Sequence, residues 1–246
     1  MRKNADYNVP ILVVVCLLLA IIGYSFSANL ASMDDNFINP LVLGATKNIS
    51  EVDLLSINDN TGTSYYYKGD REDNYIKLNN LMFRIVRYNG DGTIRVILNE
   101  DVLVSSYNTV DFNTSDCKKL LLKWLDSNFG DASYIVESDY DVTNYITYET
   151  YNLINFDGYM LDRVGLLSVK EASIISDGLD NSYINSKNGM YLGNGYGLYD
   201  IWYFKDNKID VIDYRTKLSL RPVINIKNVE LEGKGTKNDP FVIKED

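Results

Sequence analysis

The chain has 246 residues, 46% of them apolar, which is enough for one ordinary domain with a real core plus an appendage. The net charge is −10; Arg2 and Lys3 against Asp6 leave +1 on residues 1–33 and therefore −11 on the rest. A surface that acidic repels polyphosphates and argues against nucleic-acid binding, while the complete absence of histidine excludes Ser-His-Asp and Cys-His catalysis, histidine-ligated zinc and helical His-Glu-x-x-His sites.

The chain starts with a polar stretch, Met1 to Asn8, carrying Arg2 and Lys3. Ile11 to Ile22 is then unbroken apolar sequence, and Val9 to Phe26 makes 18 residues. That length is at the lower edge for crossing a bilayer. Two readings stand open. A signal peptide would be cleaved after Ser25-Phe26-Ser27, giving a secreted protein. An uncleaved anchor, the reading preferred here, would make residues 1–33 a single-pass signal-anchor. Either way Arg2 and Lys3 stay inside and the rest of the chain is extracytoplasmic. Cys16 lies in the apolar run and Cys117 stands alone outside it, so no disulfide framework, thiolate cluster or two-thiol redox site forms.

Residues 34–60 read as a polar linker with one short strand, Leu41 to Leu43, and residues 61–246 as the extracytoplasmic domain. Thr61 to Lys68 is a strand candidate with three consecutive tyrosines. The chain holds 20 Tyr against 8 Phe and 2 Trp, a composition suited to half-buried strands and to binding surfaces. Phe83 to Tyr88 and Thr93 to Leu98 flank Asn89-Gly90-Asp91-Gly92, residues that tolerate positive φ, and so read as a hairpin. The same four residues look like part of a calcium loop, without its further acidic positions or distant Glu.

Thr114 to Phe129 is the best helix. Cys117, Leu120, Leu121, Trp124 and Leu125 form a one-sided apolar stripe, and Gly130 supplies the stop. Ser115 stands at the N-cap position and opens a Ser-x-x-Lys match with Lys118, but the supporting Lys-Thr-Gly element is missing. Residues 131–163 are polar and tyrosine-rich with no clear period. Ser168 to Ser176 is a second, short helix, with Ser168 and Glu171 as a capping box and Gly178 after it.

Met190 to Phe204 carries Gly193, Gly195 and Gly197 among aromatic residues. The spacing is wrong for a dinucleotide loop, and the stretch reads as a loop feeding a strand, Ile201 to Phe204. Ile209 to Tyr214 pairs with that strand across Lys205-Asp206-Asn207-Lys208. Leu218 to Ile226 reads as one strand, with Leu218, Leu220, Ile224 and Ile226 on one face and Ser219, Arg221 and Asn225 on the other. Pro222 lacks an N–H and places this strand at an edge or at a bulge. Phe241 to Ile243 is the last strand. The sum is an α+β domain, mostly antiparallel, with two short helices.

Four blocks carry a resemblance. They are Asn74-Tyr75 through Phe83-Arg84-Ile85-Val86-Arg87 and Asn89-Gly90-Asp91-Gly92-Thr93-Ile94-Arg95; Gly165-Leu166-Leu167-Ser168 with Glu171-Ala172; Leu218 to Ile226 with its Arg221-Pro222-Val223-Ile224; and Gly235-Thr236-Lys237-Asn238-Asp239-Pro240-Phe241-Val242-Ile243. Together they resemble a domain of surface proteins of Gram-positive and wall-less bacteria, related to the C-type-lectin-like, sulfatase-modifying (formylglycine-generating) superfamily. The resemblance spans about residues 62–245 and implies a C-type-lectin-like fold. The superfamily's cysteine pair and histidines have no counterpart here, so no catalytic residue carries over. Asp200-Ile201-Trp202-Tyr203-Phe204 stands where the family's tryptophan-rich Ser-Pro block is usual.

The expectation is a membrane-anchored bacterial surface domain that binds outside the cell without catalysis. Tyr191, Tyr196, Tyr199 and Trp202 would supply aromatic contacts, with Asn194 and Asp200 as polar ones. The partner expected is a glycan or a surface protein. Alternatives are a structural envelope or assembly protein, or an enzyme acting on surface glycans through paired carboxylates. Asp70, Glu72 and Asp73, and Glu137, Asp139 and Asp141, are the acidic groups that could take calcium, the one cofactor in view.

Overall fold

The computed structural model describes residues 54–145, 158–176 and 179–244. The apolar segment from Val9 to Phe26, the expected strand at Leu41 to Leu43 and Gly178 lie outside them. Among the described residues no helix is long and apolar enough to cross a membrane.

In chain order the strands are β1 (Leu54–Asp59), β2 (Gly62–Tyr67), β3 (Tyr75–Leu78), β4 (Leu81–Tyr88), β5 (Ile94–Leu98) and β6 (Leu103–Ser105). Helix α1 (Asp116–Phe129) follows, then β7 (Ile135–Val136), β8 (Ser138–Asp141), β9 (Asn144–Tyr145) and β10 (Tyr159–Asp162). After α2 (Val169–Ser176) come β11 (Met190–Tyr196), β12 (Asp200–Lys205), β13 (Lys208–Asp213), β14 (Leu218–Leu220), β15 (Val223–Ile226), β16 (Leu231–Glu232) and β17 (Val242–Ile243). One sheet runs β1-β2-β4-β5-β15-β7 with β3 on β4; a second runs β13-β12-β11-β14-β6 with β9 on β11. Most pairings are antiparallel, giving the α+β class expected.

The local expectations were met where the chemistry is local. The β4–β5 hairpin closes through Asn89, whose N–H and carbonyl bond Thr93 and Gly92, with Gly92 at φ +87°. Asp206 and Asn207, at φ +49° and +57°, make the two-residue turn between β12 and β13. Ser115 caps α1, accepting from the Lys118 N–H at 3.1 Å. The apolar stripe of α1 packs on β4, where Phe83, Trp124 and Phe129 form an aromatic cluster with centroids 5.8–6.4 Å apart. Cys117 is fully buried in this face, and burial pushes its thiol up to about 12. Cys117 is therefore expected to resist thiol reagents in the folded chain and to react only on unfolding, which a labelling time course in denaturant checks.

Three expectations change. Among the described residues the sheet already includes Leu54 to Asp59, inside the stretch read as linker, because β1 finds its hydrogen-bond partner in β2 through a tight turn at Asn60-Thr61. The Gly-rich stretch is itself a strand, β11, and lies inside its sheet. A Cβ on Gly195 would sit 2.7 Å from the Val110 carbonyl oxygen, so this glycine permits close backbone approach and not a phosphate cradle.

The third change concerns Leu218 to Ile226. Arg221-Pro222 divides it into two strands in different sheets: β14 pairs with β6 and β15 with β5. Residues 94–105 and 218–226 thus form one ribbon that turns a corner from sheet to sheet. Pro222, with no N–H to donate, occupies the corner, and its carbonyl accepts from the Leu98 N–H at 2.9 Å. Neither strand is an edge, since β14 also neighbours β11 and β15 also neighbours β7. Both faces are consequently buried, polar Ser219, Arg221 and Asn225 included.

Candidate functional site

The aromatic residues singled out from the sequence separate into two groups. Tyr191 and Asn194 are core: 1% and 0% exposed. Tyr191 packs edge-on against Tyr107 at 4.9 Å and donates its hydroxyl to the Thr216 carbonyl. Asn194 accepts from the Val169 N–H at 2.7 Å, and its amide donates to Asp141 and Thr143. It thereby ties the start of α2 to the β8–β9 segment. Neither residue faces solvent, which corrects their assignment as ligand contacts: Tyr107 packs over Tyr191, and the start of α2 and the β8–β9 segment close over Asn194.

The second group lies at the β11–β12 turn. Tyr196 pairs with Asp200 across the strands, and Gly197-Leu198-Tyr199 closes the loop with Gly197 at φ +66°. Leu198 and Tyr199 are 65% and 62% exposed. Tyr199 stacks on Tyr214 of the neighbouring segment at 6.4 Å, and the Tyr214 N–H donates to the Tyr199 carbonyl. Tyr196 meets Trp202 edge-on at 5.2 Å, both half-buried. The indole N–H of Trp202 is enclosed with no acceptor among the described residues. Asp200 stands directly opposite Asp213, and Arg215 forks onto Asp213 while lying 5.6 Å from the Tyr214 ring. The result is an aromatic tip rimmed by carboxylates, built on a hairpin.

A polar constellation that sequence reasoning missed lies inside the first sheet. Pairing register sets Tyr66, Arg87, Arg95 and Asn225 in one row across β2, β4, β5 and β15. Glu171 of α2 receives Arg95 at 2.6 Å and Arg87 at 3.5 Å. Asp59 receives Arg87 at 2.6 Å. Arg95 also reaches the Asp139 carbonyl at 2.6 Å and the Asn225 side chain at 3.2 Å. Glu171 keeps its capping duty as well, accepting from the Ser168 N–H at 3.0 Å while Ser168 accepts from the Glu171 N–H at 3.1 Å.

Burial alone would raise the Glu171 pKa, but the charges of Arg95 and Arg87 and the Ser168 bond outweigh it and hold the group at about 2. Burial likewise opposes ionisation of Asp59, and the bonds from the Thr61 hydroxyl and N–H, with the Arg87 charge, overcome it. Two buried carboxylates therefore meet on one guanidinium, both ionised at neutral pH. A glycosidase needs one carboxyl held protonated, and neither of these is.

The other sequence candidates resolve separately. Ser115 Oγ donates to the Phe112 carbonyl at 2.7 Å, while Lys118 Nζ sits 3.0 Å from Asp162, so the two do not form a nucleophile pair. Asp91 accepts from the Thr93 N–H and hydroxyl, as a turn residue does. Asp73 forks onto Arg71, and Asp70 accepts from Asn181. Among the described residues no three His, Cys, Asp or Glu side chains converge to hold a metal ion. Compared with known proteins, the chain matches no family model, no curated protein and no solved structure.

Proposed function

We propose that the chain is a membrane-tethered, extracytoplasmic recognition domain that binds a glycan or surface protein through the aromatic tip at Leu198 and Tyr199. The observation that carries this reading is the exposure of those two large apolar side chains, 65% and 62%, on a hairpin braced by the Tyr199–Tyr214 and Tyr196–Trp202 pairs. Large apolar residues fixed in place at the surface of an acidic chain are a usual anchor of a binding patch. Rigid rings present contact area at small entropic cost, and Asp200 and Asp213 supply acceptors for hydroxyl or amino groups. The tether rests on Arg2, Lys3 and the apolar run from Val9 to Phe26. The finer fold reading, C-type-lectin-like, rests on the four resembling sequence blocks. Three of those blocks share one network: Arg87 and Arg95 of the first bind Glu171 of the second, and Asn225 of the third binds Arg95.

The test uses the full chain in detergent or nanodiscs against glycans, wall fragments and surface proteins, with and without calcium. Saturable binding is expected, weakened roughly tenfold or more by Tyr199→Ala, in keeping with ~1–2 kcal/mol for an aromatic contact residue. The melting temperature should fall only slightly, because Tyr199 is 62% exposed and the fold loses only its stacking on Tyr214. Binding that survives the paired Leu198→Ala, Tyr199→Ala change would remove the tip from the site. No binding by a folded chain would leave a structural envelope role.

A further inference from the structure

We propose that the corner of the β5–β6/β14–β15 ribbon binds a small monovalent anion of the halide class between the guanidinium groups of Arg221 and Arg84. Four arginines are buried in this domain: Arg84, Arg87, Arg95 and Arg221, each 2–6% exposed. Arg87 and Arg95 are matched by Asp59 and Glu171. Among the described residues no carboxylate lies within ion-pairing distance of Arg84 or Arg221.

Their hydrogen bonds go to neutral acceptors. Arg221 Nε and Nη1 donate to the carbonyls of Leu98 and Ile184, both at 2.8 Å. Its Nη2 is enclosed and has no acceptor among the described residues. Arg84 donates to the Asn74 side chain at 2.6 Å and to the Arg71 carbonyl. It lies 3.8 Å over the Tyr75 ring and 5.0 Å from that of Tyr183. Tyr183 adjoins Ile184, so the two guanidiniums flank one short segment. The Tyr183 hydroxyl is directed to the Tyr67 carbonyl at 3.3 Å and offers no compensating charge.

The acids that act on the pair do so from a distance and are engaged elsewhere: Asp101 with Ser186, Asp73 with Arg71, Asp70 with Asn181. Burial depresses the Arg221 pKa to about 10, and the neighbouring Arg84 charge adds to the depression. Two like charges without a counterion are costly in a protein interior, and an enclosed donor without an acceptor adds to that cost. A halide removes both costs, since it accepts N–H groups and needs no donor geometry of its own. The same enclosure disfavours larger oxyanions.

The experiment is thermal unfolding of the full chain at constant ionic strength, in chloride or bromide against gluconate. The melting temperature should rise by roughly 3–6 °C when chloride reaches ten times its Kd. In Arg221→Met the unmatched charge is gone, and the anion dependence should vanish. Should that variant fail to fold, anomalous scattering from bromide in crystals of the unaltered protein reads the site directly, with a peak expected between Arg84 and Arg221. A melting temperature indifferent to the anion, a dependence retained in Arg221→Met, or no bromide at the corner would each overturn the assignment.

Discussion

Glu171→Ala is expected to be among the most destabilising single changes in this domain, costing about 3–5 kcal/mol, the usual result of removing one partner from a buried ion pair. Three losses coincide. Arg95 and Arg87, directly opposite each other in the β4–β5 register, lose the carboxylate that lies between their charges. Like charges facing across a ladder repel, and here only Asp59 would remain to offset them. The first turn of α2 also loses half of its capping box. Glu171→Gln separates these effects, because glutamine can still cap but carries no charge. Urea unfolding of both variants provides the measurement; equal stability of wild type and Glu171→Gln would show that the charge contributes nothing.

The same carboxylate sets a pH dependence. Its folded-state pKa, about 2, lies below its ordinary value of 4.5. A depressed carboxyl stabilises the fold fully above its unfolded value and ceases to do so as pH falls through the folded one. The displacement corresponds to about 3 kcal/mol, in line with the cost expected of the mutation. Wild-type stability should therefore fall steeply between about pH 5 and pH 2. Glu171→Gln should show a shallower decline over that window, with the residual slope coming from Asp59 and the surface carboxylates.

Gly235→Ala is the second change with a large expected effect, at least ~3 kcal/mol from backbone strain and overlap together. Gly235 holds φ at +71°, and an added Cβ would meet the Asp73 carbonyl oxygen at 2.3 Å and the Phe241 ring at 2.4 Å. The segment it belongs to is stitched along β3: Tyr75 donates to the Gly235 carbonyl at 2.7 Å, Phe241 to Tyr75 at 2.9 Å and Lys77 to Phe241 at 2.8 Å. Phe241 is 3% exposed and anchors the C-terminal strand. Displacing it should open these amides to hydrogen exchange before global unfolding. Gly197→Ala is the control. It has a similar φ, +66°, but nothing within 4 Å of the added atom, so its cost should be only about 1 kcal/mol. Equal effects of the two substitutions would mean that φ strain alone, and not the packing of Phe241, governs this segment.

What the sequence by itself determined is what short-range chemistry decides. The Asn89-Gly90-Asp91-Gly92 hairpin, the apolar stripe of α1, the Ser168–Glu171 capping box and the Lys205–Lys208 turn depend on residues a few positions apart, and each formed as read. The capping box even pointed to Glu171, but only to its backbone duty. Its second role depends on β4 and β5, far away in the chain.

The tertiary structure decided the rest, through register and partner strands. Simple alternation puts Arg84 and Arg87 on opposite faces of β4. A bulge between Ile85 and Arg87 resets the register, so that Arg84 faces Ile97 and Arg87 faces Arg95, on one side of the sheet. No residue in Phe83 to Tyr88 announces that bulge. The division of Leu218 to Ile226 at Pro222 likewise depends on β6 and β5 pairing with its two halves. Tyr191 and Asn194 became core because Tyr107, Val169 and Asp141, from distant segments, pack against β11, while Leu198 and Tyr199 lie on the turn beyond it and stay mostly exposed. Aromatic content alone cannot separate those outcomes, since a tyrosine suits a core and a binding surface equally until its neighbours are placed.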